Sequence, residues 1–205
     1  GPLSLGSPGD GHLEGGGAIK LESGGVMVVD GNITMRGRDS SDAASAGGSV
    51  WLVADNLTGS GVIDARGGLD TSGGSGGGGG RIALYGSVVE FSGLIDNNGG
   101  FDSGDAAHGS GGTVYVNAST SITSSGNILT TGLDGGNITI IDSLLTLSGI
   151  YNASNVSGGS TNAVITVNYT NCASTFTGAD AAPNARLQTT CGSPLNVTTS
   201  TVNKT

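Results

Sequence analysis

Basic residues are scarce in this sequence: seven Lys and Arg stand against sixteen Asp and Glu, which gives a formal net charge of −9 at pH 7. A protein that binds nucleic acid or an anionic membrane surface needs clustered Lys and Arg to neutralise phosphate groups. The sequence therefore predicts that nucleic acid is not a partner. No apolar run approaches the roughly 18 residues that cross a bilayer, so no membrane span is predicted in this chain.

Helical periodicity and a starting methionine are also lacking. No segment has apolar residues three to four apart, which is the spacing of an amphipathic helix. We expect residues 1–14 to be a lead-in, with Gly1-Pro2 as a remnant of protease cleavage. The chain lacks the high charge of disordered proteins, since charged residues are 11% and hydrophobic residues 35%. Its 41 glycines are therefore interpreted as corners between strands.

Cysteine is limited to Cys172 and Cys191. Two nearby cysteines in an acidic, Lys-poor chain are typical of one disulfide formed in an oxidising compartment. Two free buried thiols are the alternative. The predicted disulfide favours an extracellular or cell-surface location.

What the sequence does contain is an internal repeat. An alternating apolar strand recurs at a nearly constant interval that shortens before the last repeat, and its first apolar residues are Ile19, Val50, Ile82, Val114 and Ile138. A second marker follows at a similar distance in each repeat: Ile33, Ile63, Ile95, Ile128 and Ile150. A shorter apolar patch lies between the two markers. Each repeat is therefore predicted to be three short strands separated by Gly-rich corners.

Repeats of this kind cannot bury an apolar face alone, whereas stacked repeats form a continuous core. The sequence predicts an all-β fold, a right-handed parallel β-helix (solenoid) of about five to six rungs, where a rung is one repeat. An antiparallel sandwich or barrel is the alternative, but the two-residue hairpin turns that favour it are not found. Residues 15–167 are assigned to the β-helix and residues 168–205 to a C-terminal cap. Self-association by end-to-end stacking is a further expectation for an open solenoid end.

A long Gly-rich loop leaves the same corner of successive rungs, at residues 37–48, 67–80 and 99–112, and a shorter loop follows at 132–136. These loops are predicted to lie side by side as a flange. An aspartate falls at the same offset from the first marker in each of four rungs: Asp39, Asp70, Asp102 and Asp134. We expect these carboxylates to stack, each capping its own turn, with a shared Ca²⁺ ion as the alternative. No other cofactor is predicted.

Two segments carry a resemblance to a known family. Gly15-Gly16-Gly17-Ala18-Ile19-Lys20-Leu21 and the stretch GGGGGRIALY at residues 76–85 resemble the repeats GGGAIKL and GGGGGRIAxY of large Gly-rich surface proteins. The resemblance covers about residues 11–165 and implies a parallel β-helix within a longer extracellular chain. Residues 16–19 also resemble the GGAI repeat of polymorphic outer-membrane adhesins, although their partner FxxN repeat is not present. Neither resemblance supplies a catalytic residue.

Aromatic side chains mark a candidate ligand-binding surface. The repeat register places Trp51 and Tyr115 on the outward side of the first strand, two rungs or about 10 Å apart, with Tyr85 near them. Aromatic rings on a flat sheet suit stacking against sugar rings. Aromatic residues are also common on strand surfaces that bind nothing, which is the simpler interpretation.

Two carboxylates form a candidate acid/base pair. Asp64 and Asp96 occupy equivalent positions on adjacent rungs, with Arg66 and Arg81 near them in the sequence pattern. Polysaccharide lyases and hydrolases need such clustered carboxylates on one sheet face. The alternative is a pair of solvated surface carboxylates at a strand end. No nucleophile motif accompanies the pair, so we do not predict an enzyme.

Glycosylation sequences are frequent. Nine of the fifteen asparagines begin an N-x-S/T sequon: Asn32, Asn56, Asn117, Asn137, Asn152, Asn155, Asn168, Asn196 and Asn203. This excess favours an N-glycosylated surface protein, although strand alternation accounts for some of the sites. The sequence thus predicts a non-enzymatic structural or adhesive module of an extracellular surface protein or appendage, with glycans or surface proteins as partners. A carbohydrate-binding module is the alternative, and a polysaccharide lyase or hydrolase is a less favoured one.

Overall fold

The computed structural model describes residues 4–9, 14–102, 108–155, 163–171, 173–177, 179–181, 184–189 and 196–197. Within these ranges the chain forms β-strands and no helix, and so no helix able to cross a membrane. Every strand pair is parallel. The predicted all-β solenoid is therefore confirmed. Cys172, Cys191 and Asn203 lie outside the described residues, and the disulfide stays a prediction.

The strands, numbered along the chain, form two sheets. The first sheet has ten strands: β1 (Ala18–Val28), β3 (Ser49–Gly59), β5 (Arg81–Phe91), β7 (Thr113–Ser124), β9 (Asn137–Asp142), β10 (Leu144–Leu147), β12 (Val164–Tyr169), β13 (Thr175–Phe176), β15 (Asn184–Thr189) and β16 (Asn196–Val197). The second sheet has six: β2 (Asn32–Thr34), β4 (Val62–Asp64), β6 (Leu94–Asp96), β8 (Asn127–Leu129), β11 (Ile150–Asn152) and β14 (Ala179–Ala181). Each rung up to β14 contributes to both sheets, and β15 and β16 extend the first sheet.

The ladder register confirms the predicted repeat. Ile19 pairs with Val50, Val50 with Ile82, Ile82 with Val114 and Val114 with Ile138. Alternation with period two directs these residues to the interior and their chain neighbours outward. The first marker of each rung, read from the sequence, is therefore the position at which the rungs are aligned.

Strand boundaries differ from the prediction of three short strands per rung. In the first four rungs two of the predicted strands are parts of one long strand, and they separate only in the fifth rung as β9 and β10. The long strands also carry bulges. Three residue steps from Ser23 to Val26 in β1 match only two steps in β3, and β7 likewise has one residue more than β5 opposite residues 86–88. A bulge inserts one unpaired residue without ending the ladder.

The second marker of the fifth rung is Tyr151, and the prediction of Ile150 was wrong. Tyr151 pairs with Ile128 and is fully buried, whereas Ile150 is 47% exposed. Tyr151 donates a hydrogen bond from Oη to the carbonyl oxygen of Ser124 at 3.1 Å, which satisfies its one buried polar atom. Burial raises the pKa of Tyr151 to about 12.

The core is a stack of aliphatic side chains along the solenoid axis. The largest fully buried aliphatic side chains are those of Leu52, Leu57, Ile63, Ile82, Leu84, Ile95, Ile122, Ile138, Ile140, Leu145 and Leu147. Each such burial contributes about 1.5–3 kcal/mol before entropy is counted. The core supports the sheets and leaves the outward side of each strand free to carry other chemistry.

The two ends of the described solenoid differ from its middle. β1 is the first strand of its sheet, and its outward Val26 and Val28 are 62% and 61% exposed. The edge of β1, rather than this outward face, is where end-to-end stacking, expected from the sequence, would bring another rung. In the segment predicted as a cap, β13 to β16 pair in parallel with strands of earlier rungs, so its described part continues the two sheets.

The Gly-rich loops lie side by side, as predicted, and we call residues 37–48, 67–80, 99–102, 108–112 and 132–136 the glycine flange. Ladder bridges join Ser40 to Asp70 and Asp70 to Asp102. Each long loop has an outgoing leg that leaves the second sheet and a returning leg that leads to the next long strand. The returning legs are joined by the hydrogen bonds Gly47 N to Gly78 O and Gly79 N to Ser110 O, at 2.9 Å each.

A second set of backbone hydrogen bonds links outgoing to returning legs in a zigzag along the stack. Gly68 donates to Ser45 O at 2.9 Å, Gly77 to Gly68 O at 3.0 Å, Gly100 to Gly77 O at 2.7 Å, and Gly109 to Gly100 O at 2.9 Å. The legs pack backbone to backbone: a Cβ placed on Gly77 would lie 1.9 Å from Ser45 O, and one on Gly100 would lie 1.7 Å from Gly68 O. Only glycine permits such an approach, for the reason that applies at the axis of collagen.

Candidate functional site

The three predicted aromatic residues form one continuous outward strip. Lys20, Trp51, Ala83 and Tyr115 follow one another in a single ladder. Tyr85 stands two residues after Ala83 on the same face and fills the gap between the larger rings. The ring centroids of Trp51 and Tyr85 are 6.2 Å apart in an edge-to-face arrangement, and those of Tyr85 and Tyr115 are 5.6 Å apart.

The strip has a charged end and a polar end. Lys20 Nζ lies 4.5 Å from the centroid of the Trp51 ring, which is a cation–π contact, and also pairs with Glu22 at 2.7 Å. At the other end Asn117 Nδ2 donates to Tyr115 Oη at 3.1 Å. Burial, and the neighbouring Tyr115, raise the pKa of Tyr85. The strip therefore combines half-buried aromatic rings with hydrogen-bonding groups, which is the chemistry that recognises a sugar ring.

Asp64 and Asp96 are ladder partners, as predicted, and Arg66 connects them. Asp64 Oδ1 accepts from Arg66 Nε at 3.0 Å, and Asp64 Oδ2 accepts from Arg66 Nη2 at 2.8 Å. Arg66 Nε also lies 3.4 Å from Asp96 Oδ2. Arg81 was expected near the pair, but its guanidinium donates to the hydroxyl of Ser4.

The two carboxyl groups have pKa values displaced in opposite directions. Burial acts to raise the pKa of Asp64, but the side-chain and backbone hydrogen bonds and the charge of Arg66 outweigh burial and lower it. Burial raises the pKa of Asp96, and the charge of Asp64 adds to that effect while Arg66 offsets only part of it. Opposite displacement is typical of acid/base pairs. Here, however, Asp64 already uses both oxygens in the Arg66 ion pair, which favours a structural role.

The pH dependence of stability should distinguish these two carboxylates. A lowered folded-state pKa means that Asp64 stabilises the protein above its unfolded pKa, near the ordinary value of 3.8, and that this stability is lost as pH falls through the folded pKa. We expect Asp64→Asn to lower the free energy of unfolding at pH 7 by about 1–2 kcal/mol and to flatten the loss on acidification. Urea unfolding at several values from about pH 3 to about pH 7 measures the free energy of unfolding and its dependence on pH.

Asp96→Asn is the matched control. A raised folded-state pKa means that the ionised form of Asp96 opposes folding as pH rises past its unfolded pKa. The variant is therefore expected to leave the unfolding free energy at neutral pH unchanged or slightly higher. Equal destabilisation by the two substitutions would contradict the assignment of Asp64 as the carboxylate held by Arg66.

The predicted four-membered aspartate ladder is wrong in its register. Asp70 and Asp102 are ladder partners and each is 3% exposed, but Ser40, not Asp39, pairs with Asp70. Gly99 N donates to Thr131 O, which makes Gly132 the ladder neighbour of Gly99. By the same register Asp134 lies beside Phe101, one position before the residue that lies beside Asp102. The reason is that β1 and β7 each contain one extra residue. Counting the same number of residues from the first marker therefore ends one ladder position too early in these two rungs.

Each aspartate whose contacts are described has its own partner. Asp70 Oδ2 accepts from the backbone N–H groups of Gly73 and Gly74 at 2.7 Å each. Asp39 accepts from Leu69 N at 2.7 Å and is paired with Arg36, and Asp134 Oδ2 accepts from Ser110 Oγ at 3.0 Å. Among the residues described, no three His, Cys, Asp or Glu side chains are grouped to hold a metal ion. Asp70 therefore caps its own turn, as predicted, whereas these hydrogen bonds of Asp39 and Asp134 reach neighbouring rungs.

Calcium is expected to leave the stability unchanged. Asp70 Oδ2 is occupied by the N–H groups of its own turn, so the melting temperature should be the same in millimolar Ca²⁺ and in chelator. Asp70→Ala, which removes the acceptor from two short N–H contacts, should cost about 1–2 kcal/mol in the free energy of unfolding. A Ca²⁺-dependent rise in melting temperature that disappears in Asp70→Asn would restore the calcium alternative.

Sequence patterns gave no indication of Asn97, which the structure places at a corner of the core. The side chain is fully buried, with Oδ1 accepting from Gly80 N at 2.7 Å and Nδ2 donating to Gly80 O and Thr113 O at 3.0 Å each. It thereby joins Gly80, the last residue of the returning leg before β5, to Thr113 at the start of β7. The equivalent positions in neighbouring rungs hold Ala65 and Thr130, so the repeat itself contains no signal for this residue.

The sequons differ in accessibility. Three asparagines are exposed: Asn32, Asn56 and Asn137. Four are half-buried: Asn117, Asn152, Asn155 and Asn168. Asn196 lies at the start of β16. An N-linked glycan needs an amide nitrogen that reaches solvent, so the exposed group is the most favourable, and the half-buried sites depend on their neighbours.

Comparison with models of protein families, with curated proteins and with solved structures found no match to this chain. The resemblance to Gly-rich surface proteins with GGGAIKL and GGGGGRIAxY repeats therefore stays a prediction. Functional proposals for this chain rest on its own residues and their geometry.

Proposed function

We propose that the chain is a non-enzymatic structural or adhesive module of an extracellular surface protein or appendage. The observation that carries the proposal is the glycine flange. Glycine makes up three of twelve residues in 37–48, nine of fourteen in 67–80 and six of fourteen in 99–112. Most of the described glycines are packed so closely that they accept no side chain. A surface built from backbone groups offers little side-chain chemistry to a substrate. Its hydrogen bonds hold the rungs together, which is a structural task.

Limited proteolysis tests the structural role. Long surface loops, such as residues 37–48 and 67–80, are ordinarily preferred sites of cleavage. The hydrogen-bonded flange should instead resist subtilisin at concentrations that cut a denatured sample completely. Rapid cleavage inside residues 67–80, with the sheets still folded by circular dichroism, would contradict the proposed role of the flange.

Carbohydrate binding is the second candidate function, and the aromatic strip supports it. Trp51, Tyr85 and Tyr115 lie in contact on a flat sheet face, with Lys20 at one end. A glycan array run with the wild type and with Trp51→Ala is the direct test. Retention of the wild type alone would support an adhesive role through sugars, whereas equal retention of both would exclude Trp51 as a binding residue.

Polysaccharide cleavage by Asp64 and Asp96 is the less favoured candidate. Their opposite pKa displacements support it, and the engagement of Asp64 by Arg66 opposes it. Incubation with a panel of acidic and neutral polysaccharides, followed by a reducing-sugar assay, should show no new chain ends. Release of sugar by the wild type that is lost in the Asp64→Asn/Asp96→Asn variant would overturn the non-enzymatic proposal.

A further inference from the structure

We infer that Asn117 carries an N-linked glycan whose first sugar ring lies against Tyr115 and Tyr85. The inference rests on the proposed extracellular function, because N-glycosylation occurs in the secretory route. It deepens the carbohydrate-binding candidate by naming the saccharide that the aromatic strip holds. That saccharide is the one attached to the same chain, beside the rings themselves.

Two neighbours place aromatic rings around Asn117. Tyr85 of β5 is the direct ladder partner of Asn117 in β7. Tyr115 precedes Asn117 by two residues and therefore projects from the same face of the strand. Ladder partners stand about 4.8 Å apart, and the Tyr85 and Tyr115 rings are 5.6 Å apart. A sugar ring that grows outward from Asn117 thus begins beside two aromatic rings that are already in contact.

The atom that accepts the glycan already contacts the strip. Asn117 Nδ2 donates to Tyr115 Oη at 3.1 Å, and the amide nitrogen has two hydrogens. Attachment replaces one N–H bond by an N–C1 bond to the sugar, while the other hydrogen can keep the contact with Tyr115. The donor is a lipid-diphosphate-linked oligosaccharide: its C1–O bond breaks, the diphosphate leaves with the electron pair, and the displaced amide proton is released.

The exposed sequon at Asn56 lacks this environment. Asn56 pairs with Val26 and Val88 on the adjacent rungs, and neither offers an aromatic face. Aromatic rings attract positively polarised edges to their faces, and the C–H groups of a pyranose ring present such an edge. A glycan at Asn56 would therefore extend into solvent, whereas one at Asn117 would pack on Tyr85 and Tyr115 and stabilise the folded chain.

The pyranose ring that contacts the strip could belong to an external glycan or to the glycan attached to Asn117. We assign it to the glycan of Asn117. The test uses the full chain behind a cleavable leader in a eukaryotic secretory host. Ser119→Ala removes the sequon and leaves Asn117 and its contact with Tyr115 in place, and Thr58→Ala is the matched variant that removes the sequon of Asn56.

Peptide mass spectrometry should find a glycan on Asn117. Ser119→Ala should lower the melting temperature by roughly 2–4 °C, as expected for one aromatic contact in a domain of this size, and Thr58→Ala should not lower it through loss of a glycan. In a Tyr85→Leu/Tyr115→Leu background the Ser119→Ala step should have no effect. Trimming the glycan to its first sugar should keep the melting temperature of the fully glycosylated protein.

Several outcomes would overturn the inference. Glycans on Asn32 and Asn56 without one on Asn117 would sink it and leave the extracellular module standing, whereas no glycan at any sequon would count against both. A Ser119→Ala effect that persists in full in the Tyr85→Leu/Tyr115→Leu variant would show that stacking is not involved. Binding of free diacetylchitobiose to unglycosylated protein, together with an unoccupied Asn117, would assign the strip to an external glycan.

Discussion

Gly77→Ala is expected to destabilise the protein by about 3 kcal/mol or more, because the new methyl group has no space. Its Cβ would lie 1.9 Å from the carbonyl oxygen of Ser45 and 2.5 Å from the carbonyl carbon. Both atoms belong to the backbone, so no rotamer change relieves the overlap. The legs of neighbouring loops would have to separate, and the hydrogen bond from Gly77 N to Gly68 O at 3.0 Å would be strained with them.

The next residue supplies the matched control. A Cβ on Gly78 would meet nothing closer than Ser110 O at 3.8 Å, which is ordinary van der Waals contact. Gly78→Ala is therefore expected to be neutral, or to stabilise by about 0.4–1 kcal/mol through a less flexible unfolded chain. Urea unfolding of the two variants measures the difference. Similar midpoints for both would mean that the flange does not pack as tightly as the backbone distances indicate.

Asn97→Ala is expected to cost about 2–4 kcal/mol in the free energy of unfolding, since three hydrogen bonds, two of them buried, are lost and a cavity remains. Gly80 and Thr113 would lose the side chain that joins them, and the buried backbone groups of Gly80 would lose both of their bonds to it. Asn97→Asp should cost more at neutral pH. One of its oxygens would face the carbonyl oxygens of Gly80 and Thr113 with no hydrogen to share.

Asn98 is the control for this second prediction. It follows Asn97 on the outward side, where Oδ1 accepts from Thr131 N at 2.6 Å and from Thr131 Oγ1 at 2.9 Å. Because the site is half-exposed, water can replace these bonds, and Asn98→Ala should cost only about 0.5–1.5 kcal/mol. If the two alanine variants unfold at the same urea concentration, the buried amide is not the clamp described above.

The repeat made the register of the solenoid predictable. Ile19, Val50, Ile82 and Val114 are each the first inward residue of a long strand, and alternation leaves no other phase for them. The pairing of Asp64 with Asp96 and the contact of Tyr85 with its aromatic neighbours followed from this register. Features fixed by the sheet ladder could therefore be located from the sequence alone.

Features that follow a bulge in the chain could not be located from the sequence. One extra residue in β1 and in β7 moves Asp39 and Asp134 by one position relative to Asp70 and Asp102, and a bulge in a Gly- or Ser-containing strand leaves no distinct sequence signal. Residue type also misled the alignment of Ile150, because a buried tyrosine fills the marker position of that rung. Asn97 could not be found because hydrogen bonds to a corner are not periodic.

The close packing of the flange has a consequence for how such a chain can vary over time. Every glycine codon begins with two guanines, and a single change in either base yields a residue with a Cβ or a stop signal. At closely packed positions such as Gly77 and Gly100, a single-base change in either of the first two codon positions therefore introduces a steric clash or ends the chain. The outward sheet ladder that holds Lys20, Trp51 and Tyr115 is under no such constraint, because each side chain there ends in solvent or against its neighbours. The flange of each rung is thus restricted to glycine at its closely packed positions, whereas the outward ladder can accept other side chains. New surface chemistry can therefore arise without loss of the fold.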